Sequence, residues 1–241
     1  LLVTLDQVLN DGRPVSALTV AAGAAAGLMP ALVVSRVYGG ARGVRDHLSS
    51  LVTPRGAAAY CVLALFLFAG LWSFGIAISL ALGQRVEPRA LQPAAAPLGA
   101  GGSVALGFCY TLLPNGLSEE VGWHGFAVPR LQVRHSPLVA SLVVWTLWVT
   151  WHLPACFGGF SPQRPLDALA ECLLMLPVAF VFTWLYNRTQ GSLLAVALLH
   201  AALNTAVAFL PMTLAGLVLL LLFASSIVVF DRMWRRRPVG R

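Results

Sequence analysis

The sequence has no lysine and little charge of either sign. Its 241 residues include 16 basic residues, all arginine, and nine acidic ones. Charged residues make up 10% of the chain, against about 25% in a soluble domain. That leaves too little polar surface to cover a water-soluble globule. Cysteine is scarce: Cys61, Cys109, Cys156 and Cys172 sit in or beside apolar runs, with no CxxC pair. This excludes a disulfide framework and zinc-finger spacing, and suits small core residues. No internal repeat of fixed period and no second domain is visible, so 1–241 reads as one domain. There is no cleavable signal-peptide pattern. The opening LLVTLDQVLN reads as the end of a helix whose beginning is missing.

What the chain does have is apolar length. It is 58% hydrophobic with a mean hydropathy of +0.79. Stretches of roughly 20 apolar residues, each long enough to cross a bilayer, recur throughout. Only helices and closed barrels satisfy their backbone groups in hydrocarbon. A barrel would show segments of ~10 residues with alternating polarity. These runs are longer and apolar all round, so the expected fold is an all-α polytopic transmembrane helix bundle. Seven visible spans are drawn at 16–38, 57–83, 99–129, 138–156, 166–187, 192–210 and 211–232, the last two abutting at Pro211. The third contains Leu113-Pro114-Asn115-Gly116, where a break or kink is expected. The net charge of +7 would suggest nucleic acid in a soluble protein, but here it reads as loop bias, with no nucleic-acid partner. Setting loop 39–56 on the cytoplasmic side places twelve arginines inside, in 39–56 and its flank, 130–137, 188–191 and the tail. Only Arg13, Arg85, Arg89 and Arg164 lie outside. The C-terminus is then cytoplasmic, and one further N-terminal helix would make eight spans in the full-length chain. Loop 84–98 is rich in Pro and Ala, and WRRRPVGR at 234–241 is a basic tail facing anionic lipid headgroups.

Most acidic residues flank the spans. Glu119 and Glu120 do not, and Glu171 fits only as a residue snorkelling at a span end. The pair stands about ten residues from Arg130, roughly 15 Å below the cytoplasmic edge at the rise of a helix. Carboxylates at that depth are costly and functional by default. His152 and His200 lie in other apolar spans, and His124 lies one turn beyond Glu120. A lone intramembrane histidine can simply bond a neighbouring helix, but three spans here each place a proton-handling group at comparable depth. Trp148 and His152 share one helix face, as do His200 and Asn204. Glu with His can deprotonate water, and Asn can donate to a developing oxyanion. The same residues suit a proton relay or a zinc site, and their chemistry does not choose among the three. Trp123, Trp145, Trp151 and Trp184 read as packing or interfacial anchors, Gly122 and Gly125 as sites of close helix approach, and the alanine run 21–26 as a packing surface.

The strings SEEVGWHGFAVPRLQ, WVTWHLP and HAALN resemble, in order and spacing, the three motifs of the CPBP intramembrane protease family, which includes the type II CAAX prenyl endopeptidases and the bacterial Abi proteins. The resemblance runs from about 39 to 210, with the motif-bearing core at 99–210, and GARGVRDHLSSLVTPRG is similar to the family's first cytoplasmic loop. It implies an intramembrane endopeptidase working in a cavity open to the cytoplasmic side. Glu119 would activate water, with His152. Glu120 would support the site, Trp148 would pack beside the cleft, and His200 and Asn204 would stabilise the oxyanion. The family has been described as metal-dependent and as glutamate-type. If a divalent metal such as zinc takes part, Glu119, His152 and His200 are its expected ligands, although no HExxH spacing is present. The family's arginine is here His124, which puts activity in question or adds an imidazole to a metal site.

The implied protein is a multi-pass protease of a bacterial plasma membrane, in contact with lipid and acting on a peptide or membrane-protein segment. Two other classes stand beside it. One is an inactive scaffold or bacteriocin-immunity protein of the same fold. The other is a small proton-coupled transporter, against which the lack of an inverted repeat counts.

Overall fold

The computed structural model describes residues 17–52, 58–87, 99–157 and 165–236. The regular structure among the described residues is all helical, with no strand. The helices are α1 (Ala17–Val52), α2 (Ala58–Ala81), α3 (Gly99–Thr111), α4 (Ser118–Gly122), α5 (Val128–Arg134), α6 (Pro137–Phe157), α7 (Pro165–Arg188), α8 (Leu193–Phe209) and α9 (Leu214–Phe230). All seven expected spans fall on helix. The opening decapeptide, most of loop 84–98, the end of the basic tail, and the side chains of Ala21–Ala26, His47, Cys156 and Glu171 lie outside the described residues.

Two expectations change. The loop expected over 39–56 is helical as far as Val52, because α1 continues past a kink at Gly40. Gly40 has φ 61°, a conformation glycine adopts without a Cβ clash. The kink folds the helix tightly enough that a Cβ on Gly43 would lie 2.6 Å from the Ser35 carbonyl oxygen. The break expected near Pro114 is instead a widened turn. Leu112–Leu117 is π-helix, and a second π segment, Trp123–Ala127, comes after α4. Proline cannot donate the usual i→i−4 bond. A π turn absorbs one extra residue, so each segment rotates the next helix by about 100° without ending the span.

The bundle is organised around α8. Eleven of its residues are buried, from Leu193 to Ala206. Ser192 caps its start by accepting from the Ala195 amide. A helix apolar all round belongs at the centre. Its core neighbours are Ala64, Phe68 and Trp72 of α2, Val181, Phe182 and Leu185 of α7, and Leu220, Ala224 and Ile227 of α9. The short turn Leu210–Thr213 joins α8 to α9, as Pro211 predicts. Arg188, at the end of α7, holds Asp231 at the end of α9 in a two-pronged ion pair. Its hydrogen bonds to Asp231 push the guanidinium further above its ordinary range. Trp145 ties α6 to α7 by donating to the Cys172 carbonyl at 2.9 Å.

Backbone contact between helices is closest where glycine permits it. Gly122, one of the glycines expected there, is not responsible: nothing lies within 4 Å of a Cβ placed on it. A Cβ on Gly75 of α2, by contrast, would sit 2.4 Å from the Gly216 Cα of α9. Gly75→Val is therefore expected to force α2 and α9 apart and lower stability by about 3 kcal/mol. Gly70→Val, on the same helix with open space around it, should melt near the wild type. Thermal unfolding in detergent compares the two, and equal melting of both variants would contradict the close crossing.

The outward surface is apolar too. Phe66, Leu80, Leu222 and Phe230 are more than half exposed. Among the described residues, Ala58–Ala81 is the one helix both long and apolar enough to cross a membrane by itself, with a mean hydropathy of 2.3. Pro137–His152, Cys172–Arg188, Leu193–Phe209 and Leu214–Phe230 are shorter apolar stretches.

Candidate active site

Glu120 lies at the middle of the bundle, 1% exposed. A carboxylate so placed needs hydrogen-bond partners to remain ionised. Two imidazoles provide them. His200 of α8 donates from Nδ1 to Oε1 at 2.6 Å. His124, four residues further along the same strand of helix, donates from Nδ1 to Oε2. Both carboxylate oxygens are engaged, and both histidines are 3% exposed. The approach of α8 that makes this possible depends on Gly116, where a Cβ would lie 2.6 Å from the Ala197 carbonyl oxygen.

His124 therefore reaches a glutamate from the position where the resembled family has arginine. A neutral imidazole N–H can hold a carboxylate in this way, so the contact does not require a charged side chain. Glu119 is half-buried beside this centre and within electrostatic reach of His200.

Aromatic rings enclose the cluster. Trp148 of α6 packs edge-on against His200 at 5.8 Å and against His152 at 5.9 Å between ring centroids. His152 is half-buried, and its Nδ1 donates to the Trp148 carbonyl at 2.8 Å. That bond leaves Nε2 as the basic nitrogen of the neutral ring. Asn204 is half-buried one turn beyond His200. The structure thus unites Glu120, His124, Trp148 and His200 directly, and joins His152 to them through Trp148.

Two residues of the cage were not singled out from the sequence. Phe182 of α7 packs against His124, Trp148 and His200, with centroids 5.8, 5.9 and 5.6 Å away. Tyr186, one turn on, packs against His124 at 5.8 Å. Their spacing of four marks one helix face, but in an apolar span that signal is indistinguishable from ordinary packing.

A cavity of about 380 Å³ is lined in part by Tyr186 and Gly125. Tyr38, Asp46 and Arg130 line its polar walls. Arg130 lies over the Phe126 ring at 3.7 Å. Among the described residues no three His, Cys, Asp or Glu groups converge so as to hold a metal ion. A catalytic zinc needs three protein ligands; the Nδ1 bonds of His152 and His200 leave each Nε2 open to a ligand, but no third group converges with them among the described residues. The arrangement described does not fit the three-ligand set.

A helical bundle that buries a glutamate between histidines, with a second glutamate beside it, defines a protein with an acid–base centre in its core. Part of the chain is similar to the CPBP/CAAX protease family. Residues 101–206, which carry every candidate residue from Glu119 to Asn204, match the family described as type II CAAX prenyl endopeptidase Rce1-like. The chain is also 28% identical over 133 residues to CAAX prenyl protease 2 of Methanococcus maripaludis, an alignment covering 51% of this chain and 49% of that protein. It thus spans about half the length of that curated relative.

Proposed function

We propose that the chain is an intramembrane endopeptidase that hydrolyses a peptide bond with glutamate-activated water. The observation that carries this reading is the division of labour between two adjacent carboxylates. Glu120 is sealed and has both oxygens engaged by His124 and His200. Glu119, beside it, is only half-buried as a residue, and we assign it the attacking water.

In the proposed reaction Glu119, with His152, takes a proton from water as the hydroxyl oxygen attacks the carbonyl carbon. Negative charge develops on the carbonyl oxygen, where Asn204 and His200 donate hydrogen bonds. Because His200 gives its Nδ1–H to Glu120, it can donate from Nε2 only as an imidazolium. The proton then passes to the amide nitrogen, the C–N bond breaks, and a carboxylic acid and an amine leave. Trp148 and Phe182 hold the imidazole planes. No step passes through a metal.

The membrane location rests on the low charge, the exposed apolar faces and the family. Seven membrane spans and a cytoplasmic C-terminus are the topology that the arginine asymmetry supports. Lipid and a peptide or membrane-protein segment are the proposed partners, and a bacterial plasma membrane is the proposed setting. A second reading, an inactive scaffold or immunity protein of the same fold, draws support from His124 in the arginine position. Purified protein in detergent, incubated with a quenched fluorescent peptide library, separates the two. Cleavage that is lost in His152→Ala and resists a chelator is the expected result. A folded wild type that cleaves no peptide would favour the scaffold, and loss of cleavage on chelation would refute the metal-free mechanism.

A further inference from the structure

Beside the Glu120 centre lies a second, much smaller cavity walled by Glu120, Trp123, His124, Val144, Trp148, Ala179 and Phe182. It leaves about 10 Å³ in which the centre of a water molecule can move, room for one water. Two of its lining residues carry buried nitrogens with no hydrogen-bond partner: Nε2 of His124 and Nε1 of Trp148. Native proteins pair nearly all such groups, with protein or with ordered water.

The two nitrogens are chemically complementary. The indole N–H is a donor only. Because His124 gives its Nδ1 proton to Glu120, its Nε2 in the neutral ring is an acceptor. They cannot satisfy each other's requirements by chance contacts with the apolar walls of Val144, Ala179 and Phe182. A molecule that accepts one hydrogen bond and donates another can satisfy both.

We infer that this cavity binds a single ordered water that accepts from Trp148 Nε1 and donates to His124 Nε2. Its second hydrogen faces the free lone pairs of Glu120, giving the two to four partners a buried water needs. The water selects the Nδ1–H tautomer of His124, the one that keeps a donor on Glu120. Trp148 is then a positioning residue that acts on Glu120 through the water and His124, whatever reaction the centre performs.

Solid-state NMR of the full chain in lipid bilayers tests this, using ¹⁵N-labelled Trp and His and magnetisation transferred from water. The Trp148 indole signal, identified by its loss in Trp148→Phe, is expected to receive transfer from a bound water, with His124 Nε2 unprotonated. Folded Trp148→Phe keeps an aromatic ring, though a smaller one, without the donor, and His124 should show a mixture of tautomers. Ala179→Val keeps both nitrogens and fills the cavity, so the transfer to Trp148 should disappear. The wild-type spectrum decides even if a variant does not fold. An indole with no water contact, or His124 protonated on Nε2, would overturn the inference. So would an unchanged transfer in folded Ala179→Val.

Discussion

Glu120→Ala is expected to destabilise the protein by about 3–5 kcal/mol, the usual cost of removing one partner from a buried charged pair. The physical reason is that Glu120 is the shared acceptor of two buried histidines from different parts of the bundle. Its loss leaves two imidazole N–H groups without an acceptor in a space walled by Trp148 and Phe182. Glu120→Gln should fall between alanine and wild type, since an amide has only one oxygen and its NH₂ would face a donor. Chemical or thermal unfolding in detergent measures the series. A Glu120→Ala protein that melts with the wild type would remove Glu120 from its place at the centre of the fold.

Glu119→Gln is expected to behave in the opposite manner. Cleavage should drop by roughly 10²–10⁴-fold, the contribution typical of a general base, while the melting curve stays close to wild type. Glu119 is half-buried, so an amide of the same shape is accommodated. The two neighbours thus separate in two assays: one variant fails chiefly in stability, the other chiefly in turnover. Should Glu119→Gln retain full activity, water activation would have to be reassigned, and the sealed Glu120 could take it over only by releasing one of its histidines.

The candidate residues were readable because buried charge is costly. Two carboxylates and three histidines in apolar runs stand out against a chain that otherwise avoids them. Their grouping in three spans was visible as well, since spacings of four keep Trp148 with His152 and His200 with Asn204. Which glutamate is sealed was not visible. Glu119 and Glu120 are adjacent in sequence, and only the rotation of the helix decides which one faces α8. Two π segments, at Leu112–Leu117 and Trp123–Ala127, set that rotation, and a pattern read at 3.6 residues per turn cannot foresee them. The aromatic cage was hidden for a different reason. Phe182 and Tyr186 sit in an apolar span where every residue suits a core, so composition carries no contrast.

By itself, the sequence determined that the chain is helical, poor in charge, and supplied with acid–base groups at three places along its length. Those properties follow from residue type and local spacing. The tertiary structure alone decided that Glu120 is the shared partner of His124 and His200. It also decided that His124 does stand against a glutamate, and that Gly75 and Gly116, rather than Gly122, are where helices meet most closely. Each of these depends on which faces of distant segments are turned toward one another, and that is settled by packing the whole bundle around α8.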